Sequence, residues 1–358
     1  MIMKCKQIFS LFSRNIDMTQ GRIIRQLLLF SFPLILTNLL QQFYNMADAA
    51  IVGRFDSAAS LAAVGVAGTA TTVLICFLNG FVNGVSIVVA QNYGSGNGTL
   101  LEKSIHTAYA LSLIAGLFLT VTGLLCSTAI LGLLNVPEDI YDATLLYTRI
   151  VFSGSIFNSV YCFSAGILRA EGDSRNPLIF LAISGMVNVL LNMILVIWFH
   201  LGVAGVGIAT LVSQILSAVL ATISLLRADG VCRLSFRKLV PDLAITKEIF
   251  RLGIPASIQS AMFSISNTAI LSSVNRFGST MTAGCTAAGN VEGCLFQVTS
   301  AFGASAVTFS SQNYGAGNKK RIKQGALQCS LLTMGTSFIL GILILLSGNQ
   351  LLQSALLN

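Results

Sequence analysis

Long apolar runs alternate along this chain with short polar breaks, and the first run carries a polar stripe of its own. From Phe30 to Phe55 it reads FSFPLILTNLLQQFYNMADAAIVGRF. About 20 apolar residues, rising 1.5 Å each, cross a bilayer as a helix, so this run is long enough to span. Within it Asn38, Gln41, Asn45 and Asp48 recur at steps of 3, 4 and 3. At about 100° per residue the four side chains share one narrow helical face. Such a face belongs against protein or water and not against lipid. The pattern predicts nine helical spans, near 26–52, 61–92, 104–134, 144–168, 177–199, 203–226, 247–274, 282–313 and 324–347. Alternation at period two with regular turns is absent, which argues against an outer-membrane barrel.

The first run has a copy. LGIPASIQSAMFSISNTAILSSVNRF (252–277) repeats it at a shift of 222, pairing Pro33 with Pro255, Asn45 with Asn267 and Arg54 with Arg276. QNYGSGN (91–97) returns as QNYGAGN (312–318) at a shift of 221. Two matches at nearly one period mark an internal repeat. Six spans separate the copies, so both halves point the same way, related by an axis along the membrane normal. The expected fold is therefore an all-α polytopic membrane protein: two parallel repeats of six transmembrane helices, the second incomplete, with about nine helices in this chain. The expected divisions are a cytoplasmic segment 1–25, a six-helix lobe 26–228, a cytoplasmic linker 229–246 and a partial lobe of three helices, 247–358. Two full repeats need about 444 residues, so the 358 residues here are expected to be a fragment or, as the less favoured alternative, a truncated natural form. The glycines and asparagines of QNYGxGN are expected to close a helix and start a tight turn, away from substrate.

Composition agrees with the pattern. Only 9% of residues are charged and the mean hydropathy is +0.80, whereas a soluble domain carries about a quarter charged residues. The net charge of +8 would suit nucleic acid, but its placement points elsewhere. With a cytoplasmic N-terminus, all but Arg54, Arg149 and Arg276 of the 21 basic residues fall on the inner side. That is the positive-inside bias. It predicts a multi-pass protein of the cell (inner) membrane that binds no nucleic acid. The N-terminus lacks the apolar core and cleavage site of a removable signal peptide. Eight cysteines form no CxxC pair, so neither a disulfide framework nor a zinc site is expected. HExxH, GxxxxGK and GxSxG are absent, and the chain is not expected to be an enzyme or to hold a cofactor.

Polar stripes recur on other spans: Thr72, Asn79, Asn83 and Ser86; Asn158 and Tyr161; Ser184, Asn188 and Asn192; Thr210, Ser213, Gln214 and Ser217. Singly, each is most simply helix glue contributing about 0.6–2 kcal/mol. Together they suggest a shared aqueous cavity lined by Asn38, Gln41, Asn45, Asn79, Asn83, Asn158, Tyr161 and Gln214. Asp48 lies six residues inside Arg54, roughly 9 Å from that end of its helix. An unpaired carboxylate there costs at least ~2.5–3.5 kcal/mol, which suits a proton- or sodium-coupled site whose charge changes as the cavity opens. Glu292, about 15 Å deep in its span, either joins such a cavity or packs against Asn290. Pro33 bends its helix, as a hinge or as a fixed kink. Glu171 and Asp173 sit between Arg169 and Arg175 and read as a local ion-pair cluster.

FPLILTNLLQQFYNMADAAIVGRF, LRAEGDSRNP (168–177), GVAGVGIATLVSQ (202–214) and QNYGAGN together resemble the multidrug and toxic compound extrusion (MATE) family of secondary transporters. The resemblance implies two six-helix lobes around a cavity that opens alternately to either side, and export of small organic, often cationic, compounds against inward H⁺ or Na⁺. It also implies that Asp48 is the coupling aspartate, with a sodium ion or proton near it, and Pro33 the bending proline. Asn188 matches an asparagine of the same cation network, and Asn192 stands where many members carry an aspartate. The chain is expected to act as a monomer in the lipid bilayer. Rival readings are a lipid-linked oligosaccharide flippase of the same superfamily and a non-transporting membrane scaffold.

Overall fold

Glycine, proline and asparagine punctuate what is otherwise unbroken helix former. The structure, a computed structural model, describes residues 16–134, 136–228, 230–275 and 279–356. Among them the helices are α1 (Ile23–Phe55), α2 (Ala58–Gly94), α3 (Gly98–Leu133), α4 (Glu138–Ser153), α5 (Ser155–Ala170), α6 (Arg175–Asn192), α7 (Gly202–Arg227), α8 (Leu243–Asn275), α9 (Ser279–Gly315) and α10 (Lys319–Leu356). Five described helices are long and apolar enough to cross a membrane, and α4 with α5 form a sixth such span bent by 46°. Periodicity predicts that fourth span as one helix. The break comes at Gly154, where a Cβ would run into Oε1 of Gln214 on α7. A third helix therefore packs closely at the break. α6 ends in a π-helical turn, Met193–Trp198.

The helix stops have local causes. Ser57 caps α2 by accepting from the Ser60 amide, and Asn97 caps α3 by accepting from the Leu100 amide at 3.2 Å. After α2 and α9 the chain turns through Gly96 (φ +69°) and Gly317 (φ +72°), a conformation that favours glycine. These are the last glycines of the two QNYGxGN motifs.

The first glycines of those motifs have a second use. A Cβ on Gly94 would strike the Gln312 carbonyl, and one on Gly315 would strike the Gln91 carbonyl. The two motifs thus cross backbone to backbone, at the end of the bundle that carries the basic clusters. Further along α2, a Cβ on Gly84 would lie 2.7 Å from the Ile249 carbonyl of α8, and one on Gly80 would meet Ser257. Toward the opposite end, a Cβ on Gly65, Gly68, Gly284, Gly289 or Gly293 would meet nothing within 4 Å among the described residues. Among the described residues the close glycine approaches between the repeats thus fall toward the basic end.

α1 and α9 complete the contact between repeats. Leu27, Phe30 and Leu34 pack with Phe302 and Phe309 in one buried cluster. Beside it Ser31 donates to Ser305 at 2.7 Å. Pro33 lies buried inside α1, and Thr37 Oγ1 donates back to its carbonyl at 2.8 Å. Arg321 ties the N-terminal segment down: it donates to Asn313 Oδ1 (3.1 Å), the carbonyls of Gly21 (2.9 Å) and Met18 (3.1 Å), and Gln26 Oε1 (3.1 Å). Hydrogen bonds to a charged group contribute roughly 1.5–3 kcal/mol each. Arg321→Ala is therefore expected to raise the rate of tryptic cleavage at Arg22 or Arg25 by about tenfold or more, since local opening governs cleavage.

The connection between the repeats is a strap. His106 Nδ1 lies 2.7 Å from the Glu102 carbonyl, so that nitrogen carries the hydrogen, and Nε2 accepts from the Ser235 amide at 3.0 Å. Lys238 pairs with Glu102 at 2.6 Å and Lys103 with Asp242 at 3.4 Å. Leu234 is buried in the cluster formed by α2, α3 and α5.

The expected ion-pair cluster at 168–177 takes a different form. Asp173 accepts from the amides of Arg175 and Asn176, both at 3.0 Å, capping the start of α6. Arg169 Nε donates to the Ala165 carbonyl at 3.1 Å. Glu171 is buried, and no ion pair reaches it among the described residues. Backbone groups of the turn and the helix end thus engage Asp173 and Arg169.

Candidate ion cavity

α1, α5, α6 and α7 each turn a polar stripe toward one point inside the first repeat. Asp48 comes from α1, thirty-odd ångströms along its helix by the 1.5 Å rise. Asn192 comes from the last position of α6, just before the π-helical turn. Its Nδ2 donates to Asp48 Oδ1 at 2.5 Å and to Asn188 Oδ1 at 3.2 Å. Asn192 is fully buried and Asn188 nearly so. Turning the Asn192 amide over would forfeit both donations, so the orientation is fixed by its partners. The Asn192 Oδ1 that remains has no hydrogen-bond partner, nor has Gln214 Oε1.

Above this pair lies a cavity of about 120 Å³. Gln41, Tyr44, Asn45 and Asp48 line it from α1, and Asn158 and Tyr161 from α5. Ser184, Gly185 and Asn188 line it from α6, and Thr210, Ser213, Gln214 and Ser217 from α7. Gly185 is required here: a Cβ would run into the Tyr44 ring, whose hydroxyl donates to the Ala182 carbonyl at 3.3 Å. The Tyr161 hydroxyl is committed to the Pro177 carbonyl at 3.2 Å.

Size and chemistry define what the cavity can hold. Drug-sized ligands occupy roughly 300–1,000 Å³, whereas a water takes about 30 Å³. The cavity thus has room for a few waters or a hydrated ion. Among the described residues no basic side chain pairs with Asp48, since both ion pairs lie on the strap. Three groups offer the cavity free acceptor oxygens: the Asp48 carboxylate and the amide oxygens of Asn192 and Gln214, which have no hydrogen-bond partner. Such oxygens suit a proton or a hard cation with oxygen ligands. No group of three or more His, Cys, Asp or Glu able to hold a metal is present among the described residues.

Not every candidate from the sequence joins this cavity. Gln41, Asn45, Asp48, Asn158, Tyr161, Asn188 and Gln214 line it, and Asn192 sits directly under the carboxylate. Asn38 does not: its Nδ2 donates to the Gln297 carbonyl at 3.0 Å and Ser300 Oγ at 3.1 Å on α9. Ten residues separate Asn38 from Asp48, about 15 Å of rise and 80° of rotation, enough to turn the start of the stripe toward the other repeat. Asn79, Asn83 and Glu292 are exposed on α2 and α9, outside the cavity. The side chains of Thr72 and Asn290 lie outside the described residues, and with them the expected Asn290–Glu292 pairing. Gly185 and Gly154 shape the site without having been singled out for it. The Ser184-Gly185 pair, small residues within a polar stripe, is the sequence signal for that close approach.

Two closely apposed helical repeats with an acid-bearing polar cavity inside the first define a membrane transporter. The family model MatE matches residues 33–194 and 255–355; the chain belongs to this family, the MATE transporters, whose members are not enzymes. It is 29% identical over 306 residues to the probable multidrug resistance protein YpnP of Bacillus subtilis (strain 168), covering 86% of this chain and 68% of that protein. It is 30% identical over 310 residues to the probable multidrug resistance protein YoeA of the same organism, covering 84% and 66%. The chain therefore spans about two thirds of the length of these relatives. Among solved structures, the outward-facing conformation of a multidrug resistance MATE family transporter of the MOP superfamily superposes with a TM-score of 0.88, at 22% identity, over 94% of this chain and 75% of the other.

Proposed function

We propose that this protein exports organic, cationic or amphipathic compounds by alternating access, driven by inward H⁺ or Na⁺, with Asp48 as the coupling carboxylate. The observation that carries the reading is a membrane-embedded carboxylate whose hydrogen-bond donor is a neutral amide, Asn192, within a polar cavity too small for a drug. The ion would occupy that cavity, held by Asp48, Asn188 and Asn192. The substrate would occupy a cleft between the repeats and meet Asn79, Asn83 and Glu292, whose side chains are exposed. The names of the Bacillus relatives support export of drugs. The basic end, flanked by Arg22, Arg25, Lys319, Lys320, Arg321 and Lys323, is the cytoplasmic one in the inner membrane by the positive-inside rule, and the cleft then opens outward. The protein acts as a monomer and needs no cofactor beyond its coupling ion.

The test is the full-length protein in liposomes carrying a pH or sodium gradient. Addition of a fluorescent organic cation should release protons or sodium in the opposite direction; absence of both fluxes overturns the reading. A second outcome follows from the Asn192 geometry. Its donation to a charged acceptor, worth about 1.5–3 kcal/mol, favours the ion-free carboxylate, so Asn192→Ala should raise the apparent affinity for a coupling proton by about tenfold or more. That change is read as a shift of the ion dependence of efflux to lower proton concentration at a constant membrane level of protein.

A further inference from the structure

Residues 170–172 end the fourth span at the basic end, and three separate parts of the chain meet on them. The Ala170 carbonyl accepts from Gln312 Nε2 at 2.7 Å, which ties in the second repeat. The Gly172 carbonyl accepts from the Ile16 amide at 3.2 Å, which ties in the N-terminal segment. Gly172 is at φ +92°, and a Cβ there would strike the Ile16 carbonyl. Between them Glu171 is 2% exposed and hydrogen-bonded to Cys232 of the strap. Its Oε1 is buried and has no partner. The same Gln312 accepts from the Met18 amide at 3.1 Å, so the motif that closes the basic end also roofs this carboxyl.

We propose that Glu171 is a second proton-binding site, separate from Asp48, which holds the basic end closed when protonated and favours its opening when ionised. Among the described residues the groups that face it are Cys232 from the strap, Asp173 from its own turn and Tyr93 from the end of α2, on which Asp17 of the N-terminal segment also acts. None of these is a cation. Burial first, and the neighbouring Asp173 charge second, push its carboxyl up to about 8, against the lowering effect of the Cys232 hydrogen bond. The same surroundings push the Cys232 thiol up to about 12, so that thiol stays a neutral donor. Opening requires Gln312 and the N-terminal segment to leave residues 170–172, and water then reaches the carboxyl and returns it toward the ordinary carboxylate range.

The sign follows from linkage. The closed form binds the proton more tightly, so closure is fully favoured below the open-form value and loses that advantage as pH rises through about 8. Between those limits the ratio of closed to open should fall by up to tenfold per pH unit, and above about 8 it should level off. A rise in cytoplasmic pH would thus release the gate, and each inward-delivered proton would help to shut it again.

This inference rests on the transporter reading, but its test needs no transport. In the full-length protein, nitroxide-bearing non-cysteine amino acids at Ser95 and Ala316 report the separation of the two turns by pulsed electron resonance. Wild type should show a short distance at pH 6 and a growing long-distance population up to pH 8 or 9. Glu171→Gln, neutral and of equal size, should stay closed across the range, while Asp48→Asn should keep the response. A flat wild-type profile overturns the proposal with no variant at all, as does an unchanged pH response in Glu171→Gln. Failure of ion-coupled flux with this gate response intact would instead remove the export reading alone.

Discussion

Asp48→Asn is expected to reduce gradient-driven efflux to background while leaving the amount of protein in the membrane unchanged. The substitution keeps shape and volume, and the new Oδ1 can still accept from Asn192, which now lies 2.5 Å from the carboxylate. Only the change of charge is lost. An ion site in a cavity with no basic partner depends on that charge: without it, a proton has nothing to neutralise and a sodium ion loses its strongest ligand. Direct measurement is dye efflux from everted vesicles energised by a pH or a sodium gradient, with immunoblotting of the membranes. Efflux above one tenth of wild type would remove Asp48 from the coupling step. Loss of protein from the membrane would show that Asp48 serves folding, as a polar group gluing α1 to α6. Asn192→Ala, which leaves the carboxylate in place, should give only the shift in ion dependence already described, and the contrast separates the charged group from its orienting partner.

Gly94→Leu should jam the other half of the cycle. A Cβ alone at this position collides with the Gln312 carbonyl, and the obstacle is backbone on both sides, since Gly315 meets the Gln91 carbonyl in the same way. Neither strand of the crossing has a flexible tip that could swing aside. Overpacking of this kind costs about 1–3 kcal/mol, occasionally more, and a larger side chain at a backbone crossing belongs at the upper end. The ratio of closed to open at the basic end should fall by about 10–100-fold. Spin labels at Ser95 and Ala316 should report a persistently open basic end, and efflux should fall with it. Gly68→Leu is the control, because a Cβ there meets nothing within 4 Å among the described residues; efflux should stay within about twofold of wild type. Equal losses in both variants would mean that glycine content, and not the crossing, is what matters.

Much of the molecule is legible from patterning. A membrane span needs little beyond length and apolarity, so the run from Phe30 to Phe55 and its copy reveal helices, a repeat and their common direction. Asp48 stands out because a carboxylate in such a run is costly, and the cavity around it is drawn from stripes on α5, α6 and α7 that the period of the helix already groups together. Periodicity has limits of its own. It places Asn38 with Asp48, yet over ten residues the stripe winds far enough for Asn38 to bond α9.

What the chain alone determines is therefore everything set by one helix at a time: the spans, the duplicated scaffold, the charge bias of the loops and the single acid of the first stripe. What tertiary structure decides is whatever depends on how closely two helices approach. At the bend near Gly154, Gln214 stands where a side chain would be. QNYGxGN is a helix stop in sequence and a lock in space, because its first glycines meet across the repeats. Glu171 looks like one charge among several in LRAEGDSRNP, and only the convergence of Gln312, Ile16 and Cys232 on residues 170–172 makes it a buried carboxyl. Burial is a property of neighbours, and neighbours separated by 60 to 160 positions leave no periodic trace in the sequence.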